Sequence, residues 1–148
     1  LNRASSVECD PSSCPLKDKC KNQRFKKHEY VKCELFHTTL SGWGLMAMED
    51  IKQDQFVIEY CGEVIDEEEY EKRLKNSAKG SHDYLFSLEK DLYIDAYRKG
   101  NLARFMNHSC EPNCISEKWE VEGLTRIGLF ALCDIKTGIA VRWVAKFY

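Results

Sequence analysis

The segment 104–114 concentrates the side chains that are best able to do chemistry. It reads Arg-Phe-Met-Asn-His-Ser-Cys-Glu-Pro-Asn-Cys, which is poor material for a hydrophobic core. One chemistry open to it is nucleophilic catalysis by Cys110 with His108 as the base. The other is a polar binding loop in which Cys110 ligates a metal. Catalytic partners usually meet across a fold rather than two residues apart along a chain, which argues against the nucleophile.

The chain contains eight cysteines, and their distribution suggests two uses. Three of them cluster near the start of the chain, namely Cys9, Cys14 and Cys20. Cys33, Cys61 and Cys133 lie inside apolar runs, where a free thiol is expected to pack against other side chains. An even number of cysteines also permits a secreted disulfide scaffold. Clustered cysteines beside single buried ones favour a reducing compartment and a zinc site instead.

Composition narrows the class of protein. The 148 residues are 43% hydrophobic and 31% charged, which predicts one globular domain with a sizeable core. The net charge of −2 provides no overall basic field that would attract nucleic acid. The sequence contains no apolar run of membrane-spanning length, so we expect no membrane association. We also expect a monomer. Because the first residue is Leu1, we expect the sequence to be part of a longer protein.

Short strands separated by turns are the main predicted elements after residue 30. The apolar runs that predict strands are 31–36, 42–47, 56–60, 62–65, 84–88, 92–94, 126–132 and 139–144. The charged residues 89–91 predict a hairpin turn, and Lys136-Thr137-Gly138 predicts another turn. Residues 1–29 lack a periodic apolar pattern and are expected to be rich in loops that need a cross-link or a metal to hold their shape.

One helix is predicted among these strands. Asp66 can cap its first turn, and Glu69 follows three residues later, as in a capping box. Tyr70 and Leu74 form an apolar pair four residues apart, and the lysines follow the acids as the helix dipole favours. A shorter helical turn is predicted at 102–106. Many strands with few helices indicate an α+β fold that is mostly β.

The segment 17–32 is locally basic. Its cations are Lys17, Lys19, Lys21, Arg24, Lys26, Lys27 and Lys32. The simpler interpretation is a solvated face of the protein. The alternative is a patch that contacts a polyanion such as nucleosomal DNA.

The segment 104–114 resembles the signature loop of SET-domain lysine methyltransferases. Three other pieces resemble motifs of this family in the family's order. They are Gly42-Trp43-Gly44, Glu59-Tyr60-Cys61-Gly62-Glu63 and the strand 126–131. The resemblance covers roughly residues 30–138. It implies small curved sheets around a pseudoknot, with S-adenosylmethionine on one face, a peptide on the other, and a narrow channel between them.

The cysteine-bearing start of the chain resembles the end of an AWS zinc segment. Such a segment precedes the SET domain in the nuclear-receptor-binding SET-domain, ASH1-like and SET2-like enzymes, which methylate lysine thirty-six of histone H3. The resemblance therefore implies a partial AWS segment at 1–29 and a SET domain at 30–148. It also implies that the histone H3 tail in a nucleosome is the partner, in the nucleus and on the chromosome.

Roles for individual residues follow from the same resemblance. The family's cofactor-binding positions correspond to Gly42, Trp43, Gly44, His82, Asp83, Tyr84, Arg104, Asn107 and His108. Tyr60 would line the lysine channel and orient the amine as the catalytic residue. Cys9, Cys14 and Cys20 would supply three of four zinc ligands, and the fourth is expected ahead of this sequence. Cys110 would join three cysteines of a post-SET segment, which we expect this sequence to lack.

The resemblance fails after Gly138. The family continues with an acid, an aliphatic residue, Thr, an aromatic residue, Asp or Asn, and a catalytic Tyr, but this chain reads Ile-Ala-Val-Arg-Trp-Val-Ala over 139–145. Without a gap, Trp143 falls at the aromatic residue that tunes how many methyl groups fit, and Ala145 falls at the catalytic Tyr. Two interpretations follow: an active methyltransferase, or a SET module that binds cofactor or chromatin without turnover.

Overall fold

The computed structural model describes residues 2–39, 42–76 and 84–144. Within these residues the strands are β1 (Cys33–His37), β2 (Trp43–Ala47), β3 (Phe56–Tyr60), β4 (Glu63–Asp66), β5 (Leu85–Glu89), β6 (Leu92–Asp95), β7 (Asn107–His108), β8 (Cys114–Val121), β9 (Leu124–Ala131) and β10 (Ala140–Val144). The helix α1 spans Glu67–Asn76, and short 3₁₀ helices span Asn2–Ser5, Lys17–Lys19 and Leu102–Phe105. The predicted α+β fold that is mostly β is confirmed. None of the helices described has the length and apolar character needed to cross a bilayer.

The predicted strands are present with ends shifted by one or two residues, but the two-residue strand β7 was not predicted, and neither was β8. Its buried positions include Ser116, and charged residues lie between Ser116 and Trp119. The alternation of apolar and polar residues that marks a half-buried strand is therefore broken. Pairing with β9 along its whole length stabilises this strand despite the weak local pattern.

The strands form two sheets, and the last strand, β10, lies inside the larger one. Among the described residues, a sheet of seven strands has the order β1-β2-β10-β8-β9-β3, and β7 also pairs with β10. A sheet of three strands has the order β4-β6-β5. Strand β10 runs antiparallel to β2 and parallel to both β7 and β8. The end of the described chain is therefore enclosed by strands from its first half and its middle.

Asn113 holds the 109–113 loop against β10. Its side-chain Nδ2 donates to the Ala140 carbonyl at 2.9 Å, and its Oδ1 accepts from the Arg142 amide at 2.8 Å. The Ser109 amide donates to the Trp143 carbonyl at 3.1 Å, so the loop bonds to β10 at both of its ends. This crossing agrees with the pseudoknot that the resemblance implied.

The predicted helix cap at α1 is confirmed in part. The Asp66 carboxylate accepts a hydrogen bond from the Glu69 amide at 2.9 Å, as an N-cap does. The reciprocal half of the capping box is replaced, because the Glu69 carboxylate accepts from Arg73 Nε at 2.8 Å instead. Tyr70 stacks on Tyr93 with ring centroids 3.9 Å apart, which fixes α1 against β6.

Residues of the N-terminal segment share a core with the rest of the domain. Phe25 is buried, and its ring lies 4.5 Å from that of Phe56 and 5.8 Å from that of Trp119. The buried Glu8 carboxylate accepts from the amides of Phe25 and Lys26. The basic segment is thus attached to the sheet by an apolar cluster, in addition to the ion pair of Lys26 with Glu122.

We expect Phe25→Ala to lower the free energy of unfolding by about 3–5 kcal/mol, as truncation of a buried aromatic side chain usually does. Urea denaturation followed by circular dichroism measures this change. Leu16→Ala, in the same segment but 62% exposed, serves as the control and should change stability little. Equal stability of the two variants would contradict the shared core.

All eight cysteines lie within the described parts of the chain, and none of them forms a disulfide bond there. Burial raises the pKa of Cys33 to about 11 and that of Cys61 to about 11. Burial also raises the pKa of Cys114, which lies in β8, to about 12. The prediction that Cys133 packs inside a strand is wrong: β9 ends at Ala131, and the Cys133 thiol is exposed in the following bend.

Candidate cofactor cleft and cysteine site

A cleft of about 620 Å³ opens beside the Leu102–Phe105 3₁₀ helix and β7. Its volume lies within the range of small-molecule sites. The residues that line it are Gly42, Trp43, Tyr84, Arg104, Phe105, Met106, Asn107, His108 and Trp143. They come from four separate stretches of sequence that the strand pairings bring together.

The 3₁₀ helix that carries Arg104 is held at its N-terminal end. Asn101 caps it, because its Oδ1 accepts from the Ala103 amide at 3.2 Å. The Asn101 Nδ2 donates to the Glu59 carbonyl at 2.8 Å, which ties the cap to the end of β3. Ala103 is fully buried, so this turn has little freedom to rotate. The Arg104 side chain is thereby presented from a fixed backbone.

Asn107 joins two of the motifs identified in the sequence. Its Nδ2 donates to the Trp43 carbonyl at 3.2 Å, across the mouth of the cleft. Gly42, immediately before, has φ +69°, a conformation that favours glycine. The backbone of Asn107 pairs with Arg142, and that of His108 pairs with Trp143. The cleft therefore depends on the pairing of β7 with β10.

Arg104 lines the cleft and carries one hydrogen-bond donor that the described residues leave unused. Its Nη2 donates to the Tyr97 carbonyl at 2.6 Å, and its guanidinium lies 4.8 Å from the centroid of the Tyr84 ring. Its Nε is buried and finds no hydrogen-bond partner among the described residues. A buried donor without a partner costs about 1–3 kcal/mol. A ligand with an acceptor group at this position would remove that cost.

Three aromatic side chains pack together at the inner side of the cleft. Trp143 and Phe86 stack with ring centroids 5.4 Å apart, and Tyr60 lies 5.7 Å from Phe86 and 6.3 Å from Trp143. The Trp143 indole donates to the Met106 carbonyl at 2.9 Å. Trp143 thus belongs both to the cleft lining and to this aromatic group, which we define as Tyr60, Phe86 and Trp143.

The Tyr60 hydroxyl is buried and already has a partner. It donates to the Tyr84 carbonyl at 2.9 Å, and only 4% of the residue is exposed. Burial, and to a smaller extent the negative charge of Asp95, raises the pKa of Tyr60 well above its usual value. The phenol therefore stays neutral at physiological pH, and its oxygen can still accept a hydrogen bond.

The structure brings most of the predicted cofactor residues together. Six of them line the cleft, namely Gly42, Trp43, Tyr84, Arg104, Asn107 and His108. Gly44 does not: it is buried, and a Cβ there would lie 2.8 Å from the Phe36 ring, so its role is to permit close packing. His82 and Asp83 lie outside the described residues.

Sequence reasoning did not single out Phe86, Phe105 or Met106. Phe105 and Met106 stand inside the signature segment, so the segment itself pointed to them. Phe86 carries no motif, and only the position of β5 beside Tyr60 places it in the aromatic group. Apolar lining residues of this kind are indistinguishable from core residues until the fold is known.

The N-terminal cysteines form a second candidate site. The Sγ atoms of Cys9, Cys14 and Cys20 all lie within 4.8 Å of one another. Zinc–sulfur bonds of ~2.3 Å in a tetrahedron place sulfur atoms ~3.8 Å apart, which this spacing approaches. Asn22 donates from Nδ2 to Cys9 Sγ at 3.3 Å and from its amide to Cys20 Sγ at 3.4 Å. Such donors stabilise thiolate ligands, so the residues fit three of the four ligands of a structural zinc ion.

Cys110 is separate from this group. Its thiol is exposed at the end of the signature segment. Within the described residues, Cys110 belongs to no set of three or more potential ligands. The assignment of Cys110 as a metal ligand therefore stays a prediction.

Two family models match the sequence. The SET domain model matches residues 42–140, and the AWS domain model matches residues 1–28. The SET match alone covers more than half of the chain. It contains the cleft-lining residues up to His108, and the AWS match contains the cysteine site.

Curated relatives match nearly the whole chain. The human histone-lysine N-methyltransferase, H3 lysine-36 specific, is 51% identical over 142 residues, which is 93% of this chain and 5% of the relative. Histone-lysine N-methyltransferase ASHH1 of Arabidopsis thaliana is 50% identical over 152 residues, covering 100% of this chain and 31% of the relative. Mouse histone-lysine N-methyltransferase SETD2 is 46% identical over 149 residues. The chain thus spans less than a third of each of these proteins.

Solved structures of polycomb repressive complex 2 share the fold. In an active complex in the basal state, the match has a TM-score of 0.85 at 28% identity and covers 97% of this chain and 21% of that one. A Chaetomium thermophilum complex in an autoinhibited conformation bound to S-adenosylmethionine matches with a TM-score of 0.83 at 29% identity, over 93% of this chain and 20% of that one. The cleft, the family matches and these relatives together show that the chain belongs to the SET domain family, with an AWS domain preceding its SET domain.

Proposed function

We propose that this chain is the catalytic core of a protein-lysine N-methyltransferase that transfers a methyl group from S-adenosylmethionine to a histone lysine. The observation that carries the proposal is the position of Trp143. It lines the small-molecule cleft on one side and packs on Tyr60 and Phe86 on the other. A cofactor cleft that meets an aromatic group with a buried Tyr60 is the arrangement that transfer to a lysine side chain requires.

The cleft residues suit the chemical parts of S-adenosylmethionine. Arg104 offers an unused charged donor to a carboxylate, and Trp43 and Tyr84 offer aromatic faces to an adenine. Asn107 and His108 would contact the methionine and adenine parts. When bound, the cofactor supplies an electrophilic methyl group on a sulfonium. The reaction needs no metal at the reacting centre, because a neutral amine displaces the sulfide directly.

The aromatic group would prepare the substrate amine. An apolar channel lowers the pKa of a lysine by desolvating its charged form, so the neutral nucleophile becomes more abundant. The Tyr60 oxygen can accept an N–H from the amine while its own proton is donated to Tyr84. Alignment of donor and acceptor in one channel can remove ~7–11 kcal/mol from the barrier.

The histone substrate is proposed from the relatives. Several carry names that specify lysine thirty-six of histone H3, so we propose that residue in a nucleosome as the target. A chromatin substrate implies a nuclear, chromosomal location. The basic segment 17–32 would contact nucleosomal DNA, since Lys17, Lys19 and Lys21 are exposed. Lys26 forms an ion pair with Glu122, which leaves less of its charge for such a contact.

We also propose that residues 1–29 act as a zinc segment and residues 30–148 as the SET domain. Cys9, Cys14 and Cys20 would hold the first ion. Cys110 would ligate a second zinc ion, and its exposure leaves the thiol accessible to ligands from outside the described residues.

We expect the unmodified chain to bind S-adenosylmethionine and Asn107→Ala to bind it about tenfold more weakly. The variant removes the hydrogen bond to the Trp43 carbonyl that spans the cleft, worth roughly 1–1.5 kcal/mol. Isothermal titration calorimetry measures both affinities. Asn76→Ala, at the exposed end of α1, is the matched control. The proposed cofactor site would be wrong if the unmodified chain did not bind or if the two variants bound equally.

A binding module without turnover is the second candidate. Ala145 stands where the resemblance expects the catalytic Tyr, although it lies outside the described residues. Trp143 also fills space beside Tyr60 and Phe86 that a smaller aromatic residue would leave for the substrate. Both features favour binding over catalysis.

A further inference from the structure

An arginine on α1 forms a partly buried ionic group away from the cleft. The Arg73 Nη1 donates to Asp95 Oδ2 at 2.6 Å and to Glu63 Oε2 at 3.2 Å, and its Nε donates to Glu69 at 2.8 Å. Only 5% of Asp95 is exposed, at the end of β6. Hydrogen bonds to Glu69 and then to Asp95 raise the pKa of Arg73 further, so it remains charged.

Asp95 connects this ionic group to the cleft through one peptide segment. Its other oxygen, Oδ1, accepts from the Tyr97 amide at 2.8 Å. The carbonyl of the same Tyr97 accepts from Arg104 Nη2 at 2.6 Å. Three consecutive hydrogen bonds therefore lead from Arg73 to Arg104, and the last two use the backbone of Tyr97 rather than its side chain.

Among the described residues, few contacts apart from this connection hold the Arg104 guanidinium. Its ring contacts are with Tyr84 and Phe105, at 4.8 and 5.3 Å from the ring centroids. Aromatic faces fix the distance of a cation but allow it to slide. The hydrogen bond to the Tyr97 carbonyl is directional, so it decides where the free Nε–H points.

Arg73 is the closest cation to the buried Asp95 carboxylate, and Glu63 also bonds to Arg73. If Arg73 were replaced by an uncharged residue, the Asp95 carboxylate would stay buried with no cation among the described residues to balance its charge. A buried charge that loses its partner is strongly unfavourable, and the segment relaxes toward solvent. The Tyr97 amide is bonded to Asp95 Oδ1, so the Tyr97 peptide would move with that oxygen. Arg104 would then move too, because its guanidinium is bonded to the Tyr97 carbonyl. A shift of about 1 Å in a positioned group can strongly reduce its effect on a bound reactant.

We propose that Arg73 is a positioning residue for the cofactor cleft, acting on Arg104 through Asp95 and the Tyr97 backbone. The proposal rests on the proposed function only in taking S-adenosylmethionine as the ligand. It assigns α1 a role in cofactor affinity, although no α1 residue lines the cleft. A purely structural ion pair would stabilise the fold without this directional effect.

The test compares Arg73→Met with Lys75→Met. Both variants remove one positive charge from α1, and both break an i,i+4 pair with a glutamate. We expect Arg73→Met to raise the dissociation constant for S-adenosylmethionine about tenfold, within the range for residues in one hydrogen-bond network. Lys75→Met should leave it unchanged. Arg73→Lys keeps the charge but cannot hold Glu69 and Asp95 together, so it should weaken binding less than Arg73→Met does. It replaces Arg73→Met in the test if that variant fails to fold.

A double-mutant cycle separates positioning from general destabilisation. In an Arg104→Met background, Arg73→Met should weaken binding no further, because its effect passes through Arg104. Equal weakening in both backgrounds would overturn the proposal. The ¹H–¹⁵N resonance of the Arg104 Nε–H, assigned by its loss in Arg104→Met, provides a readout without cofactor. It should shift in Arg73→Met and not in Lys75→Met; an unshifted resonance overturns the proposal even if the unmodified chain binds no S-adenosylmethionine.

Discussion

Replacing Ala145 by Tyr is expected to raise the rate of methyl transfer to nucleosomal histone H3 by roughly 10²–10⁴-fold. That range is typical of a positioned acid–base or orienting group. The alanine side chain has no hydroxyl, so the interaction that the family's catalytic Tyr makes is absent rather than weakened. Because Ala145 lies outside the described residues, the alignment with the SET motif carries this expectation.

The described residues explain why Tyr60 cannot replace the missing hydroxyl. Its proton is already donated to the Tyr84 carbonyl, and burial keeps the phenol neutral by raising its pKa. Tyr60 can accept a hydrogen bond from the amine but has no second proton to donate. A second hydroxyl in the channel would supply what Tyr60 lacks.

Single-turnover transfer of radiolabelled methyl groups to recombinant nucleosomes measures the effect. The unmodified chain, Ala145→Tyr, and Ala145→Tyr combined with Trp143→Phe are compared at saturating cofactor. The combined variant should be the fastest, because a smaller ring frees space beside Phe86. Asn107→Ala added to the combined variant is the control for cofactor dependence. If the unmodified chain is as fast as Ala145→Tyr, the interpretation as a non-catalytic module is wrong.

Loss of zinc is expected to have the second large effect. Structural zinc contributes ~10–16 kcal/mol of apparent folding free energy in small domains, and the N-terminal segment has little regular structure of its own. We expect Cys20→Ser to abolish zinc binding at the Cys9, Cys14 and Cys20 site. The thermal midpoint should fall by ~10 °C or more, since the segment also supplies Phe25 to the shared core.

Cys133→Ser is the matched control, because that thiol is exposed and lies outside the cysteine cluster. Zinc content by atomic emission and the midpoint by calorimetry should equal those of the unmodified chain in this control. The zinc proposal would fail if Cys20→Ser retained the same metal content and the same midpoint as Cys133→Ser. A chelator titration of the unmodified chain should reproduce the loss seen in Cys20→Ser.

Much of the fold could be predicted because its signals are local. The cap at Asp66, the hairpin between β5 and β6 and the turn before Gly138 each depend on residues close together in sequence. Strand β8 could not be predicted, because its stability comes from pairing with β9 over its whole length and not from its own apolar pattern. The exposure of Cys133 was missed for a related reason: where β9 ends is set by its partners.

The candidate site divides in the same way. The sequence alone was enough to identify the motif residues Trp43, Arg104 and Asn107, because their types and order resemble a known pattern. It could not show that Trp143 would join the cleft to Tyr60, since that contact depends on β10 pairing with strands far away along the chain. The free Arg104 donor and its connection to Arg73 were equally invisible in the sequence. Long-range pairing and burial create these features, and neither can be read from the residue types of one segment.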